Sequence, residues 1–267
     1  MKDIPSSDRQ STALITGASS GIGRRLALEF ARNGHNLVLV ARTESRLEEV
    51  AAETREQFGV TADVVPKDLA LDTAPQEIYD ILHRKSVVID ILVNNAGFDV
   101  YGPFHKNDLT KELHMIQVNL VALTHLTKLF LRDMVDRKYG RILNLGSTGS
   151  FISSPYNAIY SATKAYVLSF SEAVAEELRG TGVTITTLCP GPTRSEFHAR
   201  ANMEDIRLMG MNVLEADHVA EVGYKALMAG KRVVVPGMLN KSQVILSRFT
   251  PRNIVTKTAK FMLEETE

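Results

Sequence analysis

Short apolar runs alternate with longer amphipathic segments along most of this 267-residue chain. The runs are rich in valine, isoleucine and leucine, which is typical of strands covered on both faces. They predict strands at residues 12–16, 36–41, 62–66, 89–93, 141–145, 184–188 and 232–235. The helical spacing of apolar positions between them predicts helices at residues 21–33, 44–58, 75–85, 109–137, 160–179 and 216–229.

This alternation predicts an α/β protein with a doubly wound Rossmann fold, in which helices cover both faces of a seven-stranded parallel sheet. No repeat or low-complexity linker interrupts the chain, so we expect one domain over residues 1–267 with its core at about 12–235. Residues 190–215 do not follow the alternation, and we expect them to form a substrate loop because long loops in compact domains are usually functional. Residues 240–267 are expected to be a C-terminal extension.

Composition narrows the class of protein. Apolar residues make up 44% of the chain and charged residues 23%, which indicates a folded globular protein. Basic and acidic residues number 31 each, so net charge gives no attraction to nucleic acid. A single cysteine excludes an internal disulfide and indicates a reducing, cytoplasmic setting. We expect no metal site, because the histidines form no cluster, and no targeting or membrane-spanning segment.

A glycine-rich turn is the first candidate for chemistry. The strand at residues 12–16 runs into Gly17-Ala18-Ser19-Ser20-Gly21-Ile22-Gly23 and then into a helix. Glycines admit close backbone approach, and a helix N-terminus attracts anions, so a pyrophosphate suits this position. The spacing differs from the common G-x-G-x-x-G, and a plain tight turn is the alternative.

Arg42 bears on the choice of nucleotide. The strand at residues 36–41 ends without the acidic residue that usually accepts a hydrogen bond from the ribose of NAD. Arg42 follows that strand and is suited to pair with a 2′-phosphate, which favours NADP(H). A solvated surface arginine is the alternative.

Tyr160 and Lys164 open a predicted helix four residues apart, so the phenol and the ammonium group share a face. A cation at about 4 Å is worth roughly 4 kcal/mol at an effective dielectric of about 20. Such a cation lowers the pKa of a phenol, so we expect Tyr160 to be a usable general acid–base near neutral pH. An ordinary helix surface would show the same pair. Ser147 follows the strand at residues 141–145, where a hydroxyl can hold a carbonyl oxygen or form a simple turn.

Two further polar groups lie near predicted strand ends or inside a predicted helix. Asn94-Asn95-Ala96-Gly97 closes the strand at residues 89–93 and suits either a pocket wall or a turn. Asn119 lies inside the apolar helix at residues 109–137, where a buried amide needs partners. It is either a satisfied core group or part of a polar relay.

Together these motifs resemble the classical short-chain dehydrogenase/reductase family over about residues 12–235. The resemblance implies that Tyr160 exchanges the proton, Lys164 tunes it and binds ribose, Ser147 orients the carbonyl, and Asn119 holds a water that links Lys164 to solvent. It implies that the remaining motif residues bind the cofactor: Gly17, Ser19, Ser20, Gly21, Ile22, Gly23, Arg42, Asp68, Leu69, Asn95, Ala96, Gly97, Pro190, Gly191 and Thr193.

The predicted function is therefore an NADP(H)-dependent carbonyl reductase or alcohol dehydrogenase, with NAD(H) possible as the cofactor. The alternative is a regulatory module that binds nucleotide without turnover, although the intact Ser147, Tyr160 and Lys164 argue against it. We expect a small-molecule substrate, with its pocket drawing on Phe98, Tyr101, Phe151, Tyr156 and the loop at residues 190–215.

Association with other molecules is predicted from two surfaces. A stripe of small residues along the helix at residues 160–179 predicts a homodimer or homotetramer. Membrane association is not expected of the chain in general. Lipid docking by the basic and apolar residues of 240–267 stays open as an alternative.

Overall fold

A computed structural model describes residues 10–197, 201, 203, 205–210 and 213–265. The strands are β1 (Thr12–Thr16), β2 (Asn36–Ala41), β3 (Ala62–Pro66), β4 (Ile91–Asn94), β5 (Gly140–Leu145), β6 (Val183–Leu188), β7 (Thr193–Arg194), β8 (Leu214–Glu215) and β9 (Val233–Val234). The α-helices are α1 (Gly21–Arg32), α2 (Glu44–Phe58), α3 (Ala74–Arg84), α4 (Leu109–Ile116), α5 (Leu123–Asp136), α6 (Ala158–Glu177), α7 (Ala216–Met228), α8 (Met238–Phe249) and α9 (Arg252–Leu263).

Seven parallel strands form the central sheet in the order β3-β2-β1-β4-β5-β6-β9. Ile15 of β1 pairs with Leu39 of β2 on one side and with Val93 of β4 on the other. The strand order reverses between β1 and β4, and a crevice opens beyond the carboxyl ends of strands at such a point. The predicted fold is confirmed, and its topology places the ends of β1 and β4 beside each other.

Side chains alternate between two apolar layers along each central strand. Ala13 and Ile15 of β1 pack with α1, α2 and α7, whereas Leu14 faces the opposite layer with α3 and α5. Leu37 and Val38 of β2 divide in the same way. This two-residue alternation is what a strand buried on both faces requires, and it explains the nearly continuous apolar runs.

The predicted helix at residues 109–137 is not uniform. It runs as α4, then a π-helical segment at Gln117–Ala122, then α5. A π segment widens the turn by one residue, and such segments are frequent at functional sites. Here the widened turn carries Asn119.

The two stretches outside the alternation contain regular structure. Short strands β7 and β8 pair with each other inside the predicted loop at residues 190–215, and a 3-10 turn at Arg207–Gly210 lies between them. The C-terminal extension consists largely of α8 and α9. No helix in the described part of the chain is long and apolar enough to cross a membrane.

Candidate active site

A cavity of about 1130 Å³ opens at the carboxyl ends of the strands. Ser147 and all the predicted cofactor-binding residues line it, from the glycine turn at Gly17 across to Thr193. Asn119 does not line it and lies behind its wall. The polar motifs are far apart in sequence, and the parallel sheet brings them to one edge.

The glycine turn is held open by the backbone geometry of its first glycine. Gly17 has a φ of +66°, and a Cβ there would lie 2.8 Å from Nδ2 of Asn95 and 2.9 Å from Cα of Ala96. Ser19 and Ser20 lead into α1, whose first turn contains no acidic residue. The free N–H groups and the positive end of the helix dipole therefore face the cavity without a competing carboxylate.

Asn95 ties this turn to β4. Its Nδ2 donates to the carbonyl oxygens of Thr16 at 2.9 Å and of Gly17 at 3.3 Å. The backbone N–H groups of Asn95 and Ala96 both donate to Oγ1 of Thr16 at 3.0 Å. The asparagine motif thus fixes the position of the glycine turn as well as walling the cavity.

Tyr160 and Ser147 meet at the base of the cavity. Ser147 lies just beyond β5, and its hydroxyl is close enough to that of Tyr160, in the first turn of α6, to lower the pKa of the phenol. The Ser147 Oγ also accepts from the N–H of Gly149 at 3.0 Å. Two hydroxyl groups that point at one place can bind a single oxygen atom of a ligand.

Lys164 lies one turn further along α6. Its Nζ donates to the carbonyl oxygen of Leu145 at 2.8 Å and is 5.6 Å from the centroid of the Tyr160 ring. The side chain is buried, and burial lowers the pKa of Lys164 to about 8. The predicted juxtaposition of phenol and ammonium group is therefore present.

The expected direction of the Tyr160 pKa is wrong for the structure as it stands. Burial raises the pKa of Tyr160, the negative charge of Asp99 raises it further, and the hydrogen bond from Ser147 opposes the rise. Desolvation of the phenolate is the largest of these effects, and the Lys164 ammonium group is directed at the Leu145 carbonyl oxygen. Tyr160 is thus held as a neutral phenol, the form that donates a proton.

Asn119 lies behind the cavity wall, and both polar atoms of its side-chain amide are hydrogen-bonded. Its Oδ1 accepts from the N–H of Phe98 at 3.1 Å, and its Nδ2 donates to the Phe98 carbonyl at 2.9 Å and to Oγ1 of Thr163 at 3.3 Å. A Cβ on Gly97 would lie 3.0 Å from Oδ1 of Asn119 and 3.6 Å from Nζ of Lys164. Asn119 therefore positions the loop after β4 against Lys164.

Basic side chains surround the end of the cavity at Arg42. Arg42 is exposed and lines the cavity together with Arg46 and Lys67. Arg46 forms a 3.0 Å ion pair with Glu196, which belongs to the loop at residues 190–215. Sequence reasoning identified Arg42 and missed the other two, although Arg46 lies one helical turn after it.

Asp99 is a cavity residue that sequence reasoning missed. Only 7% of it is exposed, its Oδ2 accepts from Nδ2 of Asn157 at 2.8 Å, and its Oδ1 has no hydrogen-bond partner within the described residues. Burial raises the pKa of Asp99 to about 7, against the opposing effects of the Val100 N–H and Lys164. Its place two residues after Gly97 was a signal, but its burial depends on the tertiary fold.

The predicted walls of the substrate region are partly wrong. Phe98 lines the cavity, whereas Tyr101, Phe151 and Tyr156 do not. Tyr101 and Tyr156 instead pack on the cluster formed by Ala201, Met203, Ile206 and Leu263. The ring of Phe197 contacts that of Tyr160 with centroids 5.7 Å apart. Helices α8 and α9 close the far side of the cavity, with apolar linings that sequence reasoning did not assign: Val244, Leu246, Ile254, Val255, Ala259, Met262 and Leu263.

Comparisons with known proteins agree with this geometry. The family model for "short chain dehydrogenase" matches residues 11–205. A solved short-chain dehydrogenase from Sphingobium yanoikuyae in complex with NADPH shares 32% identity and a TM-score of 0.78, over 90% of this chain and 96% of that one.

Among curated relatives, a very-long-chain 3-oxoacyl-CoA reductase of Phaeosphaeria nodorum is 37% identical over 66% of this chain and 53% of its own length. The chain thus spans about half the length of that relative. The 17-beta-hydroxysteroid dehydrogenase type 3 of Mus musculus is 30% identical over 98% of this chain and 87% of its own length.

Proposed function

Because this chain belongs to the short-chain dehydrogenase family, we propose that it is an NADP(H)-dependent oxidoreductase that interconverts a ketone and an alcohol. The observation that carries the proposal is the meeting of the Tyr160 and Ser147 hydroxyl groups in one cavity, with the Lys164 ammonium group 5.6 Å from the centroid of the Tyr160 ring. Family membership establishes an oxidoreductase, whereas the cofactor and mechanism are our inference.

The cavity fits a dinucleotide with a 2′-phosphate. Gly17 has no room for a Cβ beside Asn95 and Ala96, so only glycine allows the turn to pack against the end of β4 and to present its backbone to a pyrophosphate. Arg42, with Arg46 and Lys67 nearby, offers positive charge where β2 ends. The family neighbour from Sphingobium yanoikuyae is a complex with NADPH. When bound, this cofactor supplies or accepts the hydride.

The chain's own groups carry the proton and orient the substrate. The Ser147 and Tyr160 hydroxyls donate to the carbonyl oxygen, which holds the carbonyl carbon in place. As negative charge develops on that oxygen, Tyr160 transfers its phenolic proton to it. The Lys164 ammonium group, which is fixed by the Leu145 carbonyl, stabilises the resulting phenolate. In the reverse direction the phenolate removes the proton from the alcohol.

The substrate is expected to be elongated and largely apolar. The cavity extends from Tyr160 to the apolar residues of α8 and α9, beyond the residues that we expect to bind the dinucleotide. Two relatives are named as reductases or dehydrogenases of a long-chain 3-oxoacyl thioester and of a steroid. These names favour a bulky apolar ketone over a small polar one.

The test is NADPH oxidation with a panel of apolar ketones and 3-oxoacyl thioesters, comparing the wild type with Tyr160→Phe. We expect the variant to lose at least about 10²-fold in kcat while it binds NADPH as before, since only the proton is removed. Tyr166→Phe is the matched control, because Tyr166 lies on the same helix and its hydroxyl bonds to Thr124 outside the cavity. Full activity of Tyr160→Phe would refute the mechanism. A panel without turnover by the wild type, despite NADPH binding, would favour the regulatory module.

A further inference from the structure

Helix α8 presents an apolar face to solvent. Met238 is 89% exposed, Phe249 82% and Leu246 65%, and Leu239 and Ile245 are also exposed. At 100° per residue these five side chains share one side of the helix, whereas the buried Asn240 and Val244 occupy the other. A surface helix normally presents polar residues to water, so this outward face is suited to a partner.

Helix α9 continues the same pattern. Ile254 and Phe261, two turns apart on one face, are 50% and 56% exposed, and the buried Ala259 and Leu263 face inward. We call the exposed apolar residues of α8 and α9 the C-terminal surface: Met238, Leu239, Ile245, Leu246, Phe249, Ile254 and Phe261. Large apolar side chains exposed in this number are typical of an interaction site.

The two helices that carry the C-terminal surface are basic, and the exposed Glu265 lies just beyond them. Residues 238–263 contain five basic residues and no acidic one. Lys241 and Arg248 flank the apolar side of α8, and Lys257 and Lys260 lie on α9. Glu264 follows α9 and is already paired with Arg207 at 3.3 Å and Lys260 at 3.8 Å. A second copy of this surface would oppose like charges, whereas an anionic lipid surface complements them.

We propose that the C-terminal surface docks on an anionic lipid bilayer, with the apolar side chains in the interface and the lysines and arginines on the lipid phosphates. Leu246 and Ile254 belong both to this surface and to the lining of the cavity, so the cavity mouth adjoins the docked face. A lipid-soluble molecule can then enter from the bilayer without crossing water. The docking does not depend on the proposed catalysis, and its test measures binding alone.

The chain contains no tryptophan, so a single introduced indole reports its own surroundings. We expect the emission of Phe249→Trp to shift to shorter wavelength with vesicles of phosphatidylcholine containing about a third phosphatidylserine. Val88→Trp is the control. Val88 is exposed and precedes the amino end of β4, whereas the cavity lies at the carboxyl ends of the strands. It should show no shift.

Charge is tested by co-sedimentation of the full chain with the same vesicles. Reversing Lys241 and Arg248 to glutamate should weaken binding about tenfold or more, and raised salt should weaken wild-type binding. Reversing Arg84 and Lys85, which are exposed near the end of α3, should have little effect.

Several results would overturn the proposal. These are no shift for Phe249→Trp, equal shifts at both tryptophan positions, or equal binding to phosphatidylcholine alone. A short-wavelength Phe249→Trp emission that grows with protein concentration without vesicles would identify a second copy as the occupant.

Discussion

Asp99 places an ionisable group beside the two side chains that handle the proton. Its carboxylate raises the pKa of Tyr160 and also interacts with Lys164. We expect Asp99→Asn to lower the pKa of Tyr160, so the phenolate forms at lower pH and the rising limb of alcohol oxidation shifts to lower pH. The measurement is the pH profile of kcat with NADP⁺ and a working alcohol. Asp63→Asn, an exposed change on β3, is the control and should leave the limb in place.

Asp99 also has a predictable effect on stability. A carboxyl pKa raised to about 7 from 3.8 means that the folded state holds the proton over a range in which the unfolded chain has lost it. The free energy of unfolding therefore falls as pH rises from about 4 to 7, by up to roughly 4 kcal/mol. Thermal unfolding should show that the stability of Asp99→Asn relative to the wild type increases from pH 5 to pH 8. A constant difference across that range would contradict the burial argument.

Arg42 determines nucleotide preference if its guanidinium group meets the 2′-phosphate. Arg42→Asp should raise the Kd for NADPH by about tenfold or more and improve binding of NADH, because an acid can accept from the free ribose hydroxyl. Calorimetric titration with both nucleotides measures this. Arg84→Asp makes the same charge change on the exposed end of α3 and should leave both affinities unchanged. An unaltered preference in Arg42→Asp would count against the assignment.

At the scale of elements, the glycine turn offers a matched pair of substitutions. Gly17 and Gly34 both have positive φ, at +66° and +79°, but a Cβ on Gly34 meets no atom within 4 Å. Gly34→Ala should cost only about 1 kcal/mol of backbone strain and keep NADPH binding. Gly17→Ala adds a clash with Asn95 and Ala96, so it should lose stability and most of its NADPH affinity. Thermal unfolding measures the loss of stability in both variants, and titration measures their NADPH affinity. Together they separate backbone strain, which both variants have, from the clash that only Gly17→Ala adds.

The strands and most helices could be predicted from the sequence because apolar periodicity reports burial directly. β1, β2 and β3 have the predicted bounds, and α6 begins two residues before the prediction. The π segment at Gln117–Ala122 could not be found this way, because one extra residue in a turn barely alters the apolar spacing. The pairing of β7 with β8 inside the substrate loop is two residues long, too short for a periodic signal.

The sequence predicts site residues whose type and motif indicate their chemistry. It does not predict residues whose role depends on burial in the tertiary structure. The predicted cofactor-binding residues from Gly17 to Thr193, with Ser147, line one cavity because parallel strands end at one edge. The buried carboxyl of Asp99 and the linings from α8 and α9 depend on how distant segments pack. The predicted direction of the Tyr160 pKa shift was wrong for the same reason. The spacing of Tyr160 and Lys164 reveals a neighbouring cation but not how deeply the phenol is buried.

At the scale of the whole molecule, α6 carries an exposed stripe of small residues. Ala162, Ala165, Ser169 and Ala173 are exposed, while Val167 is buried against the body of the protein. Small side chains allow close helix approach, so we expect a homodimer or homotetramer through this face. Ala165→Arg should reduce the molar mass measured by light scattering at micromolar concentration. The exposed Lys128→Arg change on α5 should not, and a wild-type monomer would refute the interface.

Residues 193–196 pass close to the glycine turn. Glu196 reaches Arg46 on α2, and a Cβ on Gly21 would lie 3.3 Å from that of Ser195. A dinucleotide bound on the turn would therefore lie beneath residues 193–196, and we expect the proposed ketone to enter through the remaining opening. We therefore expect compulsory-order addition, in which the nucleotide binds before the ketone and the oxidised nucleotide leaves last. Turnover at saturating ketone would then be limited by how quickly residues 193–196 move aside to release the nucleotide, well away from the reacting atoms.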